Sequence, residues 1–173
     1  SNNDNSSDNT TLSGSAIKGI ISNGIVSAYK IVSGDNVLLS QSRTNQFGQF
    51  NLNIPKENNG QLILLELSTD NSTRMRCDLT PGCVDQNSGA FIEFGGDISL
   101  PGFFKLFGVT SSQSNANQAG FISPLTHLVV ATAKGLEGTL SREAINIASE
   151  WVENALNLDI SPAQVQLKDI TSL

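Results

Sequence analysis

The chain of 173 residues is expected to fold as a mainly β protein, an antiparallel β-sandwich over residues 12–100 with a C-terminal α-helical hairpin. Three observations carry this expectation. From Leu12 to Leu100, short apolar runs recur at roughly 8–12-residue spacing with Gly, Asn and Asp between them, as sandwich strands do. "QFNLNI", from Gln49 to Ile54, alternates with the period of two that a strand with one wet face requires. Beyond residue 121 the period changes, and apolar side chains fall three and four apart.

The chain opens on "SNNDNSSDNTT", residues 1–11, which cannot bury enough apolar area to offset its ordering entropy. It reads equally as a flexible polar tether or as a frayed terminus. "GSAIKGII", "GIVSAYKIV" and "NVLLSQSRT" then read as successive strands, and "QLILLELST" is apolar on both parities, as a central strand covered on both faces would be. Between Thr44 and Phe50 the pattern marks a hairpin corner. Thr44 ends a strand, Asn45 tolerates turn geometry, Gly48 supplies a positive φ, Phe47 is placed over the turn and Phe50 restarts the core face. "GAFIEFGGDISL" reads as one or two further strands.

These residues carry a resemblance. The run from Ser13 to Pro55, with Ala28-Tyr29 and Thr44-Asn45-Gln46-Phe47-Gly48-Gln49-Phe50, resembles the carboxypeptidase-regulatory-like, or transthyretin-like, modules of bacterial surface proteins, which are Ig-like β-sandwiches. Asn45 stands where the motif more commonly has Asp. The resemblance implies a fold rather than a chemistry.

Residues 101–120 read as a connecting loop that opens with a dense apolar cluster. Phe103, Phe104 and Phe107, with Leu106 among them, are either core residues or, if exposed together, a contact for a partner or a lipid surface. The helical part spans 121–173. Ser123 caps a first helix with Pro124 in its first turn, Gly135 is placed to end it, and Leu125, Leu128, Val129 and Thr132 share a face. A second helix starts at Ser141 with Glu143 in its first turn, and its apolar face is Ala144, Ile145, Ala148, Trp151, Val152, Ala155 and Leu156. "SPAQ", Ser161 to Gln164, has the spacing of a further capping box. "ISPLTHLVVATAKG" with the helix after it is similar to a Pro-Leu-Thr segment that follows β-modules in bacterial surface lipoproteins. That likeness implies an extracytoplasmic address and an N-terminal lipid anchor upstream of the polar start.

Cys77 and Cys83 flank a Thr-Pro-Gly turn that folds the chain back, so the two sulfurs can meet as a disulfide. Such a bridge contributes roughly 2.4 kcal/mol on the chain-entropy relation. The rival readings are a pair of free thiols or half of a metal site, which needs two further soft ligands when the single histidine, His127, lies far along the chain. A disulfide implies an oxidising compartment.

Function classes narrow by composition. A net charge of −6 with only 15% charged residues argues against nucleic acid, whose binding rests on clustered Lys and Arg. No run is apolar for the roughly 18 residues that cross a bilayer. His127, set among Leu125, Leu128 and Val129, reads as a structural histidine, and no Gly-x-Ser-x-Gly elbow or phosphate loop occurs. Glu93 and Asp97 form a weak carboxylate pair, and "DQNSG", Asp85 to Gly89, only echoes the start of a calcium loop. Tyr29 and Trp151 read as core rather than as sugar platforms.

The expectation is a non-enzymatic extracytoplasmic module with no metal or cofactor, at the bacterial cell surface, outer membrane or periplasm. It would belong to a lipoprotein and bind or present a protein or glycan ligand. The alternative is an accessory domain of a larger secreted hydrolase or adhesin.

Overall fold

The computed structural model describes residues 9–16, 19–111 and 119–156. The chain is mainly β, with antiparallel sheets and two C-terminal helices. One sheet places β1 (Asn9–Ala16) between β5 (Gln49–Pro55), which is antiparallel to it, and β12 (Ala119–Ile122), which is parallel. The parallel pair departs from the all-antiparallel expectation. A second sheet has the order β11-β6-β3-β4, from β11 (Leu106–Ser111), β6 (Leu62–Ser68), β3 (Ile25–Val32) and β4 (Asp35–Arg43). Among the described residues two smaller sheets complete the β part: β2 (Ile21–Ser22) and β10 (Asp97–Ser99) flank β7 (Arg74–Arg76), and β8 (Gly82–Val84) pairs with β9 (Phe91–Glu93).

Strand β6 organises the layers. Ile63, Leu65 and Leu67 point into a core shared with Leu12, Phe50, Leu52 and Ile54 of the first sheet. Leu62 and Leu64 point the other way, into a second core beneath α1 (Pro124–Glu137) and α2 (Arg142–Leu156). The two apolar parities of "QLILLELST" thus record two covered faces. Strands β1 and β5 bury one face only, and on the wet face the Ser13 hydroxyl donates to Asn51 Oδ1 at 2.6 Å.

The corner between β4 and β5 follows its residues closely. The Thr44 hydroxyl is buried, accepts the Gly24 N–H at 2.8 Å and donates to Ile21 O at 2.7 Å. Asn45 Oδ1 accepts from the N–H groups of Phe47 and Gln49, an Asx turn. Gly48 has φ 74°, and a β-carbon there would meet Ala16 O at 2.9 Å. Phe50 is buried, but Phe47 is exposed rather than packed over the turn.

Several boundaries shift. Asn9–Thr11, expected in the tether, already pair with Pro55–Asn53, because ladder hydrogen bonds outweigh their polar composition. The expected loop over 101–120 contains β11, which pairs with β6 from Leu106↔Leu67 to Ser111↔Leu62. Its alternation gives Leu106 to one core and Phe107 and Val109 to the other. Phe121 and Ile122, expected in the helical part, belong to β12. The "SPAQ" capping box lies outside the described residues.

Helix α1 begins as predicted: Ser123 Oγ accepts the Thr126 N–H and Thr126 Oγ1 accepts the Ser123 N–H. It runs through Gly135 and ends at Glu137, with Gly138 as the left-handed cap. Both helices are rotated from the faces that apolarity selects. Thr126 and Ser149 are buried because their hydroxyls donate to backbone carbonyls, Phe107 O and Ile145 O, each at 2.7 Å. That rotation brings Leu128, Trp151 and Leu156 to the surface. Trp151 is therefore not core, whereas Tyr29 packs partly buried against the second core.

Candidate binding surface

The segment from Arg74 to Ser99 is built as a stapled platform. Cys77 and Cys83 form a disulfide with Cα atoms 5.8 Å apart, and both sulfur-bearing side chains are buried in the first core. Ile92, opposite Cys83 in the β8–β9 ladder, packs against the same core. The inner face of this hairpin is thereby fixed.

Asp85 pins its far end. One carboxylate oxygen accepts from the N–H groups of Asn87 and Ser88 and the Ser88 hydroxyl, and the other from the N–H and hydroxyl of Ser99. Donation by Ser99 and then Ser88 holds the Asp85 carboxyl well below the usual carboxylate range. Those donors occupy the carboxylate that echoed a calcium loop, so Asp85 is an anchor that ties the β8–β9 turn to β10.

The outer face is apolar. Val84 and Phe91 are cross-strand partners, and the Phe91 ring lies over Gly82, where a β-carbon would meet its Cζ at 2.5 Å. The Phe94 N–H donates to Pro81 O and the Gly95 N–H to Cys77 O, which brings Phe94 alongside the disulfide loop that carries Leu79. These four side chains are 55% (Val84), 59% (Phe91), 62% (Phe94) and 63% (Leu79) exposed. A rigid hairpin that shows four large apolar side chains to solvent is suited to docking.

Sequence reasoning did not single these four out. "GAFIEFGG" is apolar on both parities like β6, and the composition has no means to say that one parity lacks a cover. The three phenylalanines it did single out are separated. Phe103 is 85% exposed, Phe104 packs partly buried against the first core, and Phe107 lies under α1 on the second.

His127 is held by β11. Its Nδ1 accepts the Phe107 N–H at 3.2 Å, so the proton of the neutral ring sits on Nε2, and the ring stacks on Phe107 with centroids 5.5 Å apart. Burial, and then nearby Lys134, lower its pKa. Glu93 ends β9, whereas Asp97 lies in β10 across the ladder from Arg76. Among the described residues no group of three His, Cys, Asp or Glu side chains gathers to hold a metal ion, and no helix is long and apolar enough to cross a membrane.

No family model matches the chain, and no curated protein is similar to it. Among solved structures, a 9R-lipoxygenase from Cyanothece PCC8801 aligns at 10% identity and a TM-score of 0.35, over 87% of this chain. The aligned part spans a quarter of that enzyme's chain, and a likeness this distant carries no argument about fold or activity.

Proposed function

We propose that this protein is a non-enzymatic module of an exported bacterial protein that binds a partner through its stapled hairpin. The observation that carries the reading is the combination at residues 77–94: a disulfide and a five-fold hydrogen-bonded Asp85 fix a segment that presents Leu79, Val84, Phe91 and Phe94 to solvent. The reading includes a transthyretin-like sandwich, a place outside the inner membrane and attachment through an N-terminal lipid anchor. The disulfide supports the compartment, and the two facing sheets around one core support the sandwich. A partner that is protein or glycan meets the surface at Leu79, Val84, Phe91 and Phe94.

The second reading, an accessory domain of a larger secreted hydrolase or adhesin, is favoured by the exposed helical side chains Leu128, Trp151 and Leu156. Site-specific photocrosslinking in the native cell separates the two. A photoreactive phenylalanine at position 91 or 94 should give a discrete adduct to another molecule, and one at Asn51 on the wet face of β5 should not. Adducts confined to position 151 would favour the accessory domain. Adducts at none of these positions, or equally at Asn51, would overturn the hairpin reading.

A further inference from the structure

Acids stand beside the apolar side chains of the hairpin: Glu93 on the face of Phe91, and Asp78, whose carboxylate lies toward Gly19, at the end that carries Leu79. Leu79 follows Asp78 and Phe94 follows Glu93, and both acids are exposed. The hydrogen bonds from Phe94 N–H to Pro81 O and from Gly95 N–H to Cys77 O bring these two acid–apolar pairs to one end of the segment. Glu93 also shares a face with Phe91, two residues before it on β9. Asp97 has Arg76 across the ladder, but Asp78 and Glu93 take part in neither ion pair of the described residues, Arg43–Asp70 and Lys105–Glu66.

We infer that this surface takes a basic segment of a protein partner, one that interleaves Lys or Arg with apolar side chains. The inference rests on the hairpin being the contact surface, and it names the partner class. A neutral apolar partner would strip water from two carboxylates without replacing it, which opposes binding. An anionic partner, such as an acidic lipid surface, meets like charge both here and in the net charge of −6. A basic partner compensates both acids, and its cations gain from the exposed phenylalanine rings. Because the disulfide and Asp85 fix the hairpin beforehand, little ordering is left for the moment of contact.

The test uses the oxidised protein, labelled with 15N, and two blocked heptapeptides that alternate leucine with lysine or leucine with glutamate. The lysine peptide should shift the amides of residues 79–84 and 91–97, and its affinity should fall steeply as added salt shortens the screening length. The pair Asp78→Asn and Glu93→Gln should weaken it about tenfold, with the hairpin amides otherwise in place, as one to two lost charge pairings would. Phe91→Ser should abolish the shifts. If both peptides shift the hairpin equally, the basic-partner inference falls and the contact surface stands. If neither shifts it, or the lysine peptide shifts other regions instead, both fall.

Discussion

Removing the Cys77–Cys83 bridge probes the stapled hairpin at its root. The bridge closes a loop of seven residues, counted from Cys77 to Cys83. On the chain-entropy relation that closure stabilises the folded state by about 2.4 kcal/mol, because the open chain regains conformations only when unfolded. Both cysteines lie in the first core beside Met75 and Ile98, so the loss appears in the stability of the whole fold rather than in a detached loop. With a urea m-value of about 2 kcal/mol per molar for a chain of this size, the midpoint should drop by about 1.2 M. The assay is urea unfolding followed by Trp151 fluorescence and by far-UV circular dichroism, on the oxidised protein, the reduced protein and the Cys77→Ala/Cys83→Ala variant. Reduced protein and variant should agree. A midpoint shift under about 0.25 M in both would refute the reasoning, since ladder bonds and Asp85 would then hold the loop without the bridge.

Three further outcomes follow from the packing. Leu64→Ala empties a fully buried position between β6 and the helices and should cost about 3 kcal/mol, with faster amide exchange in α1 and α2; unchanged helix protection would contradict the second core. Thr44→Val leaves the Gly24 N–H without its acceptor and should cost about 2 kcal/mol, while Thr44→Ser should recover most of it. Asp85 and Asp70 are both held below the ordinary carboxylate range, Asp85 by Ser99 and Asp70 by Arg43 and Ser72. Depressed folded-state pKa values mean that the unfolded chain binds more protons in acid, so their contribution is fully present above about pH 5 and is lost as pH falls below about 4. Urea midpoints measured from pH 7 to pH 3 should fall on that limb, and Asp85→Asn should flatten it; an unaltered slope in the variant would show that Asp85 is not the anchor.

What the sequence reveals depends on how locally each feature is encoded. The β4–β5 corner was legible because Thr44, Asn45 and Gly48 act within a few residues of their own positions. Strand β6 was legible because apolar side chains on both parities point to two covers, and the fold supplies both. The helices were legible in extent but not in rotation: Thr126 and Ser149 look like surface residues until their hydroxyls find the carbonyls of Phe107 and Ile145. Strand β11 was hidden because its partner, β6, is some forty residues away in sequence, and pairing at that range leaves no local signature. The candidate surface was half legible. The cysteine pair announced the staple, but whether Phe91 or Ile92 faces water is settled by the rest of the fold.

The redox state of the two cysteines in the native protein bears most directly on the claim of an exported, stapled binding module. Cells would be quenched in acid and alkylated without reductant. The membrane, medium and cytosolic fractions would then be examined by intact mass. The account predicts a chain from the membrane or medium that takes up no alkylating groups, because Cys77 and Cys83 are joined. A cytosolic chain carrying two alkylated cysteines would contradict both the compartment and the rigid hairpin.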